Sequence, residues 1–389
     1  MSHSRRANSS AHNASGELTD GLLHKLLVFT DRLQDVPAWR VLAVLLLMAA
    51  SLWLVTASVW LALVYLVIVL IRWGLLALLP VMRLSYGPDR PAALALALLH
   101  ALLLHLSALL SLPLIGGLVV VLLIEAAATY ATFIEPQRLG VTRETLQVRG
   151  WTAGAPLRLL HIGDLHLEHP TPREDRLQAL IDGMQPDLIV FSGDFVNLSY
   201  NESPETCAEI RAVIGRWRAP LGVFCVPGTP AVEPPERVAA FTSGLDNLRV
   251  LRDEWVTIDT PAGALHLCGM VTTHDLTRDR ATLASLVQPL PPDGLRLLLT
   301  HAPDVAPEAD QAGFDLYLCG HTHGGQIRLP LVGALITSSH LGRRFAMGRR
   351  DLERLTVYTT RGLGMEGLGA PRARLLCPPE AILWEVSGS

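Results

Sequence analysis

The chain has 389 residues, 50% of them hydrophobic and 17% charged, with a mean hydropathy of +0.34 that is too apolar for an ordinary soluble protein. A formal net charge of −4 supplies no basic field, so nucleic acid is not an expected partner. The five cysteines, Cys207, Cys225, Cys268, Cys319 and Cys377, are odd in number, far apart and free of any C-x-x-C pair. They exclude a disulfide or zinc framework and read as small buried hydrophobes in a reducing compartment.

From the start, Met1 to Gly16 is rich in Ser, Asn and Ala with no apolar period, the composition of a disordered tail. Leu22, Leu23, Leu26, Leu27 and Leu33, with Lys25 and Arg32, form an amphipathic segment suited to a membrane surface or to a plain solvated helix. Residues 1–40 thus make a first region. The apolar stretch that begins near Val41 runs far beyond a signal-peptide core, which points to an uncleaved anchor. Val41 to Met82 is apolar except for Arg72 and a few Ser and Thr, roughly twice the length that one spanning helix needs. Two helices fit, with a tight turn near Thr56 to Trp60 and Arg72 facing a neighbour or snorkelling. A polar loop, Arg83 to Pro91, precedes a second pair, Ala92 to Ser111 and Pro113 to Ile134. Residues 41–134 are therefore expected to cross the bilayer about four times.

Basic residues precede the first span (Arg5, Arg6, Lys25, Arg32, Arg40), occupy the middle loop (Arg83, Arg90) and follow the last span (Arg138, Arg143). These segments should be cytoplasmic, giving a multi-pass cell-membrane protein whose large C-terminal part, residues 135–389, is cytoplasmic. One long tilted helix in place of the first pair would reverse that side.

Beyond Ile134 the apolar runs shorten to strand length: Leu157 to Ile162, Leu188 to Phe191, Val223 to Val226, Leu265 to Cys268, Leu295 to Leu299, Leu316 to Cys319, Leu355 to Tyr358 and Ala381 to Trp384. Helical spacing appears between some of them. Leu177, Leu180, Ile181 and Met184 recur at i, i+3, i+4 and i+7, and Ser203-Pro204 reads as an N-cap and first helical residue. The class is α/β, with sheets layered against helices.

Residues able to hold metal follow the strands: Asp164 and His166 after the first, Asp194 after the second, His301 after the fifth, His321 and His323 after the sixth. Strand ends of an α/β sheet converge on one crevice, so these groups should meet there. D-x-H and H-x-H supply oxygen and imidazole ligands, and the two oxygens of Asp194 can bridge two ions.

Asp164-Leu-His166, Gly193-Asp194, His301 and Gly320-His321-Thr-His323 resemble, in order and spacing, the calcineurin-like metallophosphoesterases. Gly324-Gly325-Gln326, Arg361-Gly362-Leu-Gly364 and the multi-span N-terminus resemble the membrane-anchored bacterial branch. The resemblance covers about Glu135 to Val386. It implies a β-sandwich flanked by helices, one metal held by Asp164, His166, Asp194 and His323, and a second held by Asp194, His301 and His321. It implies two divalent ions (manganese, iron or zinc), Asp194 and His301 as catalytic residues, and Arg361 as a substrate-binding residue. Two such ions about 3.5 to 4 Å apart polarise a phosphoryl oxygen and lower the pKa of bound water. The expected activity is hydrolysis of phosphate esters or pyrophosphates, and the expected partners are the lipid bilayer and a phosphorylated or lipid-linked small molecule.

One element departs from the family, which has Gly-Asn-His-Asp/Glu where this chain has Gly228-Thr229-Pro230-Ala231. Thr229 offers a hydroxyl in place of an amide carbonyl, so the second ion should bind more weakly. Pro230 cannot donate a proton, and a positioned general acid contributes about 10² to 10⁴ in rate. The alternative function is therefore a catalytically weakened metal-binding sensor or regulatory domain. His169, His274 and His340 are substitute donors by chemistry but read as surface histidines. Gly362-x-Gly364-x-x-Gly367 lacks the strand–helix context of a dinucleotide site and reads as a mobile loop beside the metals. Arg343, Arg344, Arg349 and Arg350 read as a solvated face.

Overall fold

The structure, a computed structural model, describes residues 22–151, 155–288 and 293–388; the Ser/Asn-rich Met1 to Gly16 segment lies outside them. The chain divides into two compact units, one reaching Ile134 and taking in Glu366–Ala373, the other formed by Glu135–Met365 and the segment from Arg374.

The first unit holds α1 (Leu22–Arg32) and four helices long and apolar enough to cross a membrane: α2 (Ala38–Thr56), α3 (Val59–Leu78), α4 (Asp89–Leu109) and α5 (Leu114–Thr129), whose apolar helical stretch extends to Gln137. The turn between α2 and α3 falls at Ala57 and Ser58. Ala57 adopts a left-handed conformation that ends α2, and the Ser58 hydroxyl caps α3 by accepting the Leu61 N–H. Leu45, Leu52, Tyr65, Ala97, Leu104 and Val121 form the interior of this bundle.

Arg72 faces a neighbour. Its Nε donates to Glu125 Oε2 at 2.6 Å, and its Nη2 donates to the Glu125 carbonyl at 2.8 Å and to Thr129 Oγ1 at 2.7 Å. Taking one partner from a buried ion pair strands the other charge, which costs about 3–5 kcal/mol. Glu125→Leu should therefore lower the thermal unfolding midpoint in detergent, and Arg72→Leu combined with Glu125→Leu should recover most of the loss. A double variant as unstable as the single one would remove the pairing from the stability argument.

The second unit is a sandwich of two six-stranded sheets. One has the order β1 (Gly140–Val148), β14 (Glu380–Gly388), β2 (Leu157–Ile162), β3 (Leu188–Phe191), β4 (Val223–Cys225), β5 (Arg249–Val250). The other has the order β12 (Gly348–Asp351), β13 (Thr356–Thr359), β9 (Leu316–Cys319), β8 (Leu295–Leu299), β7 (Gly263–Gly269), β6 (Glu254–Thr260). Period-two alternation sorts the side chains. Leu157, Leu159, Leu188, Val190 and Trp384 from the first sheet meet Leu265, Leu297, Leu316, Leu318 and Tyr358 from the second in the central core. The intervening residues turn outward. Leu160, Ile162, Ile189, Phe191 and Cys225 pack with α6 (Pro172–Met184), α7 (Pro204–Ile214) and α8 (Pro235–Thr242), while Cys268, Leu298, Tyr317 and Val357 pack with α9 (Leu276–Leu286) and α10 (Ala306–Ala312). This is the helix-flanked β-sandwich that the resemblance implies, and four of the five cysteines are buried in it.

The helix starts follow their sequence signals. Thr171 and Glu174 form a reciprocal capping box on α6, and Ser203 caps α7 ahead of Pro204. The strands β1 and β6, each half-exposed at a sheet edge, have no counterpart among the apolar runs because alternating polar residues dilute their signal.

Candidate metal centre

The connections leaving β2, β3, β8 and β9, together with the loop after β4, converge at one end of the sandwich. Their backbones are cross-tied. Asp164 N donates to Gly193 O, His166 N to Asp194 O, and Leu167 N to Phe195 O, so the first two loops run side by side. Two glycines allow the approach: a Cβ on Gly228 would overlap Asp194 Oδ1, and one on Gly320 would overlap the Asp164 carboxylate. Asp164, His166, Asp194, His321 and His323 all have positive φ, between 40° and 71°. Such conformations cost of order 1 kcal/mol or more for non-glycine residues and persist where the surroundings impose them.

All six expected ligands come together. Asp194 Oδ2 lies 3.2 Å from both His166 Nε2 and His301 Nε2, and its Oδ1 accepts the Thr229 N–H at 2.7 Å. His323 Nε2 is 2.9 Å from His166 Nε2, and His321 Nδ1 is 3.2 Å from His301 Nε2. His301 Nδ1 donates to Ser192 O at 2.9 Å and His321 Nε2 donates to Ser338 O at 2.9 Å, which turns the opposite ring nitrogen of each into the crevice. Ligand atoms of Asp164, His166 and His323 lie within 4.8 Å of one another, as do those of Asp164, Asp194 and His301.

These residues fit divalent cations. Asp164 Oδ2 is buried without a hydrogen-bond partner among the described residues, and two imidazole nitrogens meet at Nε2–Nε2 contact distance beside a carboxylate. A cation would satisfy all of them at once. Charge within the crevice is arranged accordingly. Burial opposes ionisation of Asp194, yet the surrounding His301 and His166 hold its carboxyl well below the usual range. Burial also opposes a charge on His301, but Asp194 outweighs it and lifts the imidazole to about 9. The attraction that favours a proton there equally favours a metal ion. Burial raises Asp164 to about 6, whereas burial with His166 nearby keeps His323 well below its ordinary value and so neutral.

Arg361 stands beside the His323 turn, where a Cβ on Gly324 would lie 3.3 Å from its Cγ. Its Nη2 is paired with Glu380, its backbone N–H donates to Glu380 Oε1, and its side chain is 23% exposed. The following loop is pinned rather than free. Leu363 N and Gly364 N both donate to Asp164 O, and the buried Arg374 guanidinium donates to the carbonyls of Arg361, Gly362 and Gly364. Gly362 and Gly364 bring backbone against Asp164 and His166. Arg343, Arg344 and Arg350 are exposed, as expected of a solvated face.

Two residues stand in the site without having been assigned to it. Glu233 is buried and accepts the N–H groups of Phe195, Val196 and Gly228, clamping the Asp194 loop to the Thr229 loop. Burial and the nearby Asp194 raise it to about 7. Its distance from Gly228 in a Pro-interrupted stretch hid it; a lone carboxylate after a strand was the available signal. His274 is the second, and here the surface reading is corrected: it is only 7% exposed, its ring centroid lying 4.5 Å from that of His321. It follows β7, so the strand-end rule that found the others would also have found it. His169 instead binds Glu209 at 2.8 Å, and His340 is exposed.

Residues 157–325 match the family model described as calcineurin-like phosphoesterase. The chain is 28% identical over 274 residues to the uncharacterized metallophosphoesterase YkuE of Bacillus subtilis (strain 168), covering 67% of this chain and 90% of that one. It is 29% identical over 235 residues to the phosphodiesterase YaeI of Escherichia coli (strain K12), covering 60% and 83%. It is 27% identical over 306 residues to the UDP-2,3-diacylglucosamine pyrophosphatase LpxG of Chlamydia trachomatis serovar D, covering 65% and 91%. Calcineurin-like phosphoesterases use a divalent metal site, and with the Asp/His groups assembled here at the strand ends, residues 157–325 mark a calcineurin-like metallophosphoesterase domain within the chain.

Proposed function

We propose that this chain is a membrane-anchored phosphoesterase that hydrolyses phosphate esters or pyrophosphates with two divalent ions, and that its substrate is lipid-linked. The observation that carries the reading is the pair of Asp/His clusters joined through Asp194, whose Oδ2 is equidistant from His166 and His301. Asp164, His166, Asp194 and His323 would hold one ion, and Asp194, His301 and His321 the other. Bound there, the ions would activate water and offset charge on the phosphoryl group. The chain's own residues do the positioning: Ser192 and Ser338 orient the imidazoles, Gly228 and Gly320 let the carboxylates approach, and Glu233 locks two of the loops together. Four spans and their flanking basic residues support a cytoplasmic placement of the domain.

Support for a lipid-linked substrate lies beside the His323 turn. The hairpin of β10 (Arg328–Leu329) and β11 (Gly333–Ala334), with the two residues that follow it, exposes Leu329, Leu331, Val332, Leu335 and Ile336 to solvent, an apolar surface that a soluble substrate would not require. Burying a Leu or Val side chain contributes roughly 1.5–3 kcal/mol, and about 1.4 kcal/mol is tenfold in affinity. Leu331→Glu with Val332→Glu should therefore cut turnover of a diacyl-lipid pyrophosphate in vesicles by at least about tenfold, while p-nitrophenyl phosphate hydrolysis stays at the parent rate. Equal losses on both substrates would remove the hairpin from lipid recognition.

A second reading, a metal-dependent sensor, is favoured by Thr229 and Pro230. Neither provides an imidazole above the crevice, and metal binding without turnover would be its signature.

A further inference from the structure

We infer that His274 is a ligand of the second metal ion and stands in for the amide ligand that Thr229 cannot supply. This rests on the two-ion reading above and adds to it a residue outside the family's ligand set. The Nε2 atoms of His274 and His301 each lie 3.4 Å from Thr229 Oγ1, so the short hydroxyl sits between the two imidazoles. The ring centroids of His274 and His301 are 6.1 Å apart, and ligand atoms of His274, His301 and His321 lie within 4.8 Å of one another.

Three buried or half-buried imidazoles in mutual contact gain little from each other as neutral groups and repel when protonated. A shared cation resolves the conflict. The loop is built to hold the ring in place. Thr272 Oγ1 accepts the N–H groups of His301 and Ala302, tying the loop to that of His301. Asp279 Oδ1 accepts both the N–H and the hydroxyl of Thr273, and Asp275 caps α9 by accepting the N–H groups of Thr277 and Arg278. His274 itself has φ 63°, within the range of Asp164, His166, Asp194, His321 and His323. A histidine that merely filled core volume would not require that conformation.

The test is Mn(II) binding to the full detergent-solubilised chain, with free Mn(II) counted by electron paramagnetic resonance. The parent should bind two ions. His274→Ala should keep the first with unchanged affinity and bind the second at least about tenfold more weakly. Adding Thr229→Asn to His274→Ala should restore the second ion, because the amide then supplies the missing donor. Retention of both ions at parental affinity in His274→Ala would overturn the assignment. So would loss of both ions together, or a fall in kcat alone with metal binding intact, which would make His274 a proton donor. Two bound ions in a parent that hydrolyses no phosphate ester would sink the enzymatic reading while leaving this one standing.

Discussion

Asp194→Asn should abolish metal-dependent hydrolysis and leave neither ion bound at concentrations that saturate the parent. Asp194 Oδ2 is a single carboxylate oxygen that lies 3.2 Å from an imidazole of each cluster. An amide presents either a neutral oxygen or an N–H₂ group to those ring nitrogens, and neither offsets the charge of two divalent ions. Loss of an outer-sphere partner of a metal typically costs about 10–100-fold in affinity or activity, so loss of the shared ligand should exceed that. The fold should survive, since the substituted amide still accepts the Thr229 N–H through its carbonyl. Initial rates with Mn(II), read beside bound metal per chain, make the check. Parental turnover in Asp194→Asn would refute a two-ion centre bridged by this residue.

The opposite change is expected from Thr229→Asn combined with Pro230→His. Thr229 already sits at the crevice, its N–H donating to Asp194 Oδ1 and its O accepting the N–H groups of Val232 and Glu233, and Pro230 follows it in the same turn. The amide introduced at position 229 would direct an oxygen toward the second ion. The imidazole introduced at position 230 would supply a proton donor for the leaving oxygen, a group worth about 10² to 10⁴ in rate. The expected result is a rise of that order in kcat on generic phosphate esters, together with tighter binding of the second ion. A parent with no detectable turnover and an active double variant would identify the natural chain as a binding module on a hydrolase frame. A double variant no faster than an active parent would mean that proton delivery is already provided for.

Much of this architecture is legible in the amino-acid sequence. The four apolar helices followed from length and apolar content, and even the break at Ala57 and Ser58 fell where the sequence placed it, because membrane insertion is decided by local composition. The central strands β2, β3, β8 and β9 were equally plain, since strands buried on both faces form continuous apolar runs. The six Asp and His positions that meet in the crevice belonged to the same category. Asp-x-His, Gly-Asp and His-x-His are short units at strand ends, so their positions are legible locally.

What tertiary structure alone decided involves partners distant along the chain. Arg361 pairs with Glu380, nineteen residues on, a contact that no local pattern announces. Arg72 needed a counter-charge, and only helix packing selected Glu125. Glu233 and His274 became parts of the site through contacts with loops carrying Asp194, Thr229 and His301, which no local pattern joins. Local composition determines which segments are helices, strands and strand-end turns because those choices rest on near neighbours. Which buried polar side chain meets which is set by the packing of whole sheets and helices, where each group must find its partner wherever the fold delivers one.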